Sequence, residues 1–183
     1  MGVYPAPGVR TSSDGNESTS PVTADVWAEH SIWVQDPQYA LALKGGVTTF
    51  HILPGSANLI GGRGVTVKNL QRNTIQSMKY PDAPHSLKMA CGENPKRVYG
   101  NRGQAPSTRM GNVAGYRKAW IGAENHKKRL ERDPEHRDIK NETLVGVLDG
   151  KILVHNHCYR ADEMATICLL YTSPRPRDTA ISR

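Results

Sequence analysis

The order of apolar and polar positions divides the chain into a loop-rich start, a helix–strand unit, a second strand, a long helical stretch, and a last strand leading into a helix. Residues 1–24 are rich in Gly, Pro, Ser and Thr and carry neither a helical nor a strand period, which predicts loop. A helix begins at Asp36-Pro37, with Asp able to cap free backbone N–H groups and Pro suited to the first helical position. Tyr39, Leu41 and Leu43, with Ala40 and Ala42, make it short and apolar, and Gly45-Gly46 ends it. The β-branched run over residues 47–53 then predicts a strand aimed at a loop of Pro54, Gly55, Ser56, Ala57 and Asn58. Gly61-Gly62-Arg63-Gly64 has neither P-loop spacing nor GxGxxG after a strand. Its glycines suit a flexible hairpin before Val65.

Residues 87–91 predict a second buried strand, stopped by Gly92-Glu93-Asn94-Pro95. From Asn112 the pattern turns helical, because Val113, Tyr116 and Trp120 recur three and four apart. Asp133-Pro134 breaks this helix, and residues 142–148 predict a shorter one. After the turn dipeptide Asp149-Gly150, Ile152, Leu153 and Val154 predict a strand on which His155 and His157, two apart, share one face. The C-terminal ends of strands are where parallel α/β sheets keep their chemistry. Neutral imidazoles there can ligate a metal, with Asp162 or Glu163 as carboxylates to orient them. On the preceding strand, Lys88 and Glu93 are the residues with chemistry to offer. Each also has a plain structural reading, Lys88 as a surface strand lysine and Glu93 as a turn residue paired with Lys96 or Arg97. The planar guanidinium of Arg97 could clamp a substrate carboxylate.

These segments carry a resemblance to a known family. VHNHCYRADEM (residues 154–164) resembles the histidine strand of the metal-dependent amidohydrolase superfamily, in particular its imidazolonepropionase-like and prolidase-like members. GGVTTFHILPGSANLIGGRG (residues 45–64) and LKMACGENPKRVYG (residues 87–100) extend it, and GVYPAPGV (residues 2–9) adds a weaker match. The resemblance implies an α/β fold, an incomplete TIM-type parallel β/α barrel over residues 1–167, and a divalent metal, most often zinc. It implies hydrolysis of an amide-type C–N bond, peptide or non-peptide, in a small-molecule or peptide-like substrate. His155 would be a metal ligand, and Lys88, carboxylated, or Glu93 the middle-strand ligand. His157 would be a second ligand or a donor to the substrate oxygen. Arg97, Asn58 and Arg160 would meet the substrate, and the glycines at 61–64 would form a loop on the substrate side. In the family GVYP follows a first strand whose HxH pair holds metal, whereas here Met1 precedes Gly2 directly. That pair, a next-strand histidine and a last-strand aspartate are all missing, so the chain alone is expected to turn over little.

Size and composition narrow the alternatives. At 183 residues and 20.1 kDa the chain suits one domain, but a complete eight-stranded barrel takes about 250 residues. A mean hydropathy of −0.57 is low but globular, and no apolar run is long enough to cross a membrane. Three cysteines without CxxC spacing suggest neither a disulfide framework nor a zinc knuckle, and make a reducing cytoplasm the default.

The net charge of +7 invites a second reading, a non-catalytic basic module binding nucleic acid through Arg63, Arg97 and residues 127–140. It is the lesser one, since acidic residues are interleaved with the basic ones at 127–140 and a single Phe offers little base stacking. The last stretch, CLLYTSPRPRDTAISR (residues 168–183), departs from the helical pattern begun at Arg160. It resembles translated sequencing-adapter tails, so native sequence is expected to stop near Ile167.

Overall fold

The computed structural model describes residues 1–172. Four strands, β1 (Thr49–Ile52), β2 (Ile60–Lys68), β3 (His85–Ala90) and β4 (Ile152–His157), form one sheet in the order β1-β2-β3-β4. The helices are α1 (Pro37–Lys44), α2 (Glu93–Gly100), α3 (Arg109–Leu130), α4 (Ile139–Leu148) and α5 (Ala161–Thr172). Short 3-10 turns at Arg10–Ser12 and Ala28–Ser31 are the only helical turns of the N-terminal loop among the described residues.

The sheet is mixed, which corrects the expectation of a purely parallel one. β3 and β4 pair in parallel, joined through α2, α3 and α4, while β2 is antiparallel to both β1 and β3. Strands β1, β3 and β4 therefore run the same way, and their C-terminal ends share one edge. The glycines at 61–64 are the second correction. They lie within β2 rather than in a hairpin loop, because two close approaches leave no room for side chains. A Cβ on Gly64 would stand 2.6 Å from both Leu53 Cδ2 and Ser86 Oγ, and Gly62 sits at φ 107° beside a register shift where the N-terminal loop crosses. That loop runs alongside β2, with Val22 bridged to Ile60 and Trp27 to Arg63.

The start of α1 follows the sequence: Asp36 accepts from Gln38 N at 3.0 Å. Its carboxylate also takes Gly2 N at 2.8 Å, tying the first residues to the helix. The main core lies between one face of β3 and β4 and helices α3 and α4, where Leu87, Met89, Tyr116, Ala123, Leu144 and Ile152 pack together. A second cluster gathers Val3, Tyr39, Ile52, Val65, Val67 and Met78 behind β1 and β2. Burying a Leu- or Ile-sized side chain contributes about 1.5–3 kcal/mol, so these two clusters hold the sheet from one side.

Helix α5 runs to Thr172, past the expected boundary at Ile167, which is itself buried in the main core. Residues 173–183, most of the expected tail, lie outside the described residues. Cys91 and Cys158 are joined as a disulfide with Cα atoms 5.1 Å apart, where the sequence suggested none. The pair links the ends of β3 and β4, neighbours in space but 67 residues apart in the chain. No described helix is long and apolar enough to cross a membrane.

Candidate active site

Strand periodicity decides which side chains can meet. In the β3–β4 register Ser86 pairs with Leu153, Lys88 with His155 and Ala90 with His157, and alternate residues point to opposite faces. Leu87, Met89 and Ile152 enter the core, so Lys88, His155 and His157 stand on the other face. On β2 and β1 the same face receives Gly64, Thr66 and His51, through the pairs Gly64–Ser86 and His51–Thr66. Leu153 is 50% exposed there, and His51 and His155 are exposed beside it.

Rings from the two outermost strands meet at this face. His51 on β1 and His155 on β4 have ring centroids 4.8 Å apart, although two strands separate them in the sheet. Above Gly64, on the same face, the space is filled by the side chains of Leu53 and Ser86. His51 Nδ1 lies 2.8 Å from Thr66 Oγ1, which fixes the ring and leaves Nε2 free. Partial burial, and then the nearness of His155, pushes the His51 pKa below the ordinary histidine value. Both effects favour the neutral ring over the charged one. Burial likewise pushes the Lys88 pKa down, because the charged ammonium is disfavoured away from water. His157 lies at the end of β4, its ring edge-on to Tyr159 at 4.6 Å. Its Nε2 is buried with no hydrogen-bond partner among the described residues, as is Ser86 Oγ on the same face.

The remaining expected site residues are placed elsewhere. Glu93 opens α2 with an exposed carboxylate 3.8 Å from Arg109, a different partner from the Lys96 or Arg97 that the sequence suggested. Arg97 is exposed on α2 and reaches Asn94 Oδ1 at 3.4 Å. Arg160 forks onto Asp162 at 2.9 and 2.8 Å. Asn58 is buried, and its amide nitrogen contacts Glu17 O, Ser20 O and Tyr99 Oη, so it binds the N-terminal loop to α2. Neither carboxylate proposed to orient the histidines does so. Asp162 is taken by Arg160, while Glu163 is buried under the turn after β4, accepting from Arg109 Nε at 2.6 Å and from the backbone of Tyr159 and Arg160.

Whether these donors suit a metal can be judged in kind and in number. In kind the imidazoles fit, with His51 and His155 paired and His157 Nε2 buried without a partner among the described residues, while Lys88 is half-buried. In number, no three His, Cys, Asp or Glu side chains among the described residues converge as a ligand set. Sequence reading missed His51, though the signal was present. His51 lies two residues before the end of a predicted strand at Leu53, on the polar phase of that strand, and faces the loop that begins at Pro54.

The basic-module reading gains no support from this arrangement. Arg63 lies 3.9 Å over the Trp27 ring, and within residues 127–140 Lys127 pairs with Asp149, Arg129 with Asp133 and Arg137 with Glu142.

Comparison with known proteins gives two matches. The chain is similar to the crystal structure of an amidohydrolase from Thermotoga maritima MSB8, with a TM-score of 0.88 and 39% identity, covering 95% of this chain and 46% of that one. It is also 33% identical over 188 aligned positions to amidohydrolase tasK of Hapsidospora irregularis, covering 89% of this chain and 19% of that protein. No protein-family profile matches the chain. The chain thus spans about a fifth of the curated relative and under half of the solved structure. Sequence and fold agree over nearly its whole length, and the chain belongs to the amidohydrolase superfamily as a segment of such a protein.

Proposed function

We propose that this chain contributes part of the barrel and part of the catalytic centre of a metal-dependent hydrolase that cleaves amide-type C–N bonds in a small-molecule or peptide-like substrate. The observation that carries the reading is that Lys88, His155 and His157 share one face at the ends of adjacent strands, in a chain similar over 95% of its length to an amidohydrolase structure. A divalent ion, zinc first among candidates, would lower the pKa of a water and polarise the scissile carbonyl.

The chain's own residues would then divide the work. His155 and Lys88 supply donors from adjacent strands. His157, with an unpartnered nitrogen at the strand end, donates a hydrogen bond to the substrate oxygen. Arg97 and Arg160 lie beyond the C-terminal ends of β3 and β4, where a carboxylate of the substrate could be met; Arg160 must first release Asp162. Glu93 stays a candidate ligand only if its contact with Arg109 opens. Asn58 shapes the site by holding the N-terminal loop. A cleft of about 370 Å³ lies beside Pro54 and Gly61, lined also by Asp14, Asp25, Trp27 and His30 but by none of Lys88, His155 and His157.

Because the described residues hold no complete ligand set, the isolated chain should hydrolyse little. The test compares the purified chain with the protein encoded by the longest reading frame that contains it, both with Zn²⁺ and a panel of N-acyl amino acids and dipeptides. Turnover by the longer protein, abolished by chelation and by His155→Ala, is expected. Metal-independent turnover, or none on any amide, would overturn the reading. Strong Zn²⁺-dependent turnover by the 183-residue chain alone would overturn its inactivity.

A further inference from the structure

We infer that Cys91 and Cys158 form a reversible thiol–disulfide couple, exchanging with small-molecule thiols, that fixes or frees the turn carrying His157 and Tyr159. It is independent of the metal-dependent reading above. Three observations carry it. First, the bond adds little to the pairing of its two strands, which already run in register from His85–Ile152 to Ala90–His157 and close with Cys91 N donating to His157 O at 2.8 Å. The turns beyond are held as well, since Glu163 takes the backbone N–H groups of Tyr159 and Arg160, and Asn112 Nδ2 donates to Gly92 O at 3.0 Å. Second, each sulfur has a polar partner in place for the reduced state. Cys91 Sγ lies 3.8 Å from Glu163 Oε2, which would accept from a thiol there, and Asn156 Nδ2 donates toward Cys158 Sγ at 3.6 Å. Third, access is unequal: Cys91 is 2% exposed, whereas Cys158 is only partly buried.

These differences assign the roles. A thiolate is the attacking species in exchange, favoured by a neighbouring donor and opposed by a neighbouring carboxylate. Cys158, partly exposed and beside the Asn156 amide, is the attacking sulfur, and Cys91, buried against Glu163, is the resolving one. Oxidation runs in two balanced steps with a small disulfide RSSR, such as oxidised glutathione. Cys158 attacks one sulfur of RSSR, forming a mixed disulfide on Cys158, and the expelled RS⁻ leaves with the Cys158 proton. Cys91 then attacks the Cys158 sulfur, closing the protein disulfide, and the second RS⁻ leaves with the Cys91 proton. Two protein thiols are oxidised as RSSR is reduced to two RSH, and excess RSH drives the same steps backwards. Oxidised, the bond pins Cys158 to the end of β3, and with it the residues on either side, His157 and Tyr159, whose rings meet edge-on at 4.6 Å. Reduced, the turn is held by Glu163 and the strand ladder alone, and the ring contact loosens.

The experiment equilibrates the purified chain, carrying Cys168→Ser to remove the third cysteine, in buffers running from reduced to oxidised glutathione. Free thiols are trapped by alkylation and mapped by mass spectrometry. Cys91 and Cys158 should pass together between disulfide and thiol across the series, and return when the buffer is reversed. Circular dichroism should stay unchanged, while amide NMR shifts between the two forms should centre on residues 157–160 and 91–93. Cys91→Ser should retain glutathione on Cys158 at least about tenfold more than Cys158→Ser retains it on Cys91, because the attacking thiol is the accessible one. Should either serine variant not fold, the mixed disulfide trapped by acid in the chain that keeps both cysteines decides the same point. A pair that stays oxidised at every ratio, or a chain that unfolds when the pair is reduced, would overturn the inference and make the bond a structural staple. A pair that stays reduced at every ratio would overturn it equally, as would a redox change that leaves residues 157–160 unshifted. Glutathione held mainly on Cys91 would overturn the assigned roles.

Discussion

On the outer face of β3 and β4, Leu87 and Ile152 pack with Tyr116, Ala123 and Leu144 beneath α3 and α4. One residue along the same strands lies a mixed face, on which Leu153 and His155 are exposed, Lys88 is half-buried, and Ser86 is buried with its Oγ left without a partner among the described residues. The two faces come from alternating positions of the same six-residue strands, so the difference is one of phase and not of region. The covered face is apolar and close-packed; the open one carries nitrogens whose hydrogen-bonding capacity is unspent. In a sheet with this division, stability should answer to substitutions on one phase and ligand binding to substitutions on the other.

The largest test strikes the covered phase. Leu87→Ala and Leu144→Ala remove fully buried side chains and should each cost about 2–5 kcal/mol, the lost transfer energy plus a cavity. Denaturant unfolding of the chain reads this directly. A loss below about 1 kcal/mol at both sites would mean that α3 and α4 do not pack on the sheet as described.

Glu163 joins the two faces at their shared end and gives the next largest effect. Its buried carboxylate takes Arg109 and two backbone N–H groups under the turn that follows His157. Glu163→Ala should cost about 2–3 kcal/mol, because it strands those donors, discounted for an Arg109 that is 35% exposed. Glu163→Gln should recover part of it. Equal losses for both variants would show that charge, and not hydrogen bonding, holds the turn.

How much of this division was legible beforehand depends on which interactions are local. The cap at Asp36, the helices around Tyr116 and residues 142–148, and the pairing of His155 with His157 on one face all follow from residues close in sequence, and the structure has them. The direction of β2 did not follow, because the glycines at 61–64 read locally as a turn. Only the approach of Leu53, Ser86 and the N-terminal loop requires them in a strand. The Cys91–Cys158 pair, which follows from the parallel β3–β4 register, and the meeting of His51 with His155 are contacts between distant segments, for which sequence spacing carries no signal. Asn58 shows the opposite error: a polar residue in a loop at the functional end of a strand turned out to be spent on internal hydrogen bonds.

A smaller effect is expected at Asp36, which belongs to neither face but ties the first residues to α1. Burial alone would raise its pKa, yet N–H groups from Gly2, Gln38 and Ala6 outweigh it and hold the carboxyl below the ordinary aspartate value. A carboxyl with a lowered folded pKa adds stability above its unfolded value, near 3.9. That contribution is lost as pH falls through the folded pKa. Asp36→Ala should therefore cost about 1–2 kcal/mol near pH 7, and the gap between wild type and variant should close below about pH 4. A gap that stays constant down to pH 2 would assign the effect to packing instead.

The smallest stability effect should come from the open phase, and there it discriminates most. His155 is exposed and touches His51 only through its ring, so His155→Ala should change unfolding free energy by no more than about 0.5 kcal/mol without metal. Ligand binding to the folded chain adds stability that grows with the logarithm of ligand concentration over Kd. Wild type should therefore gain stability as Zn²⁺ is raised, and His155→Ala should gain much less, so the two proteins diverge only when the ion is present. A variant destabilised by 2 kcal/mol or more without metal would place His155 among the structural residues. The comparison between the faces would then fail at the residue on which it most depends.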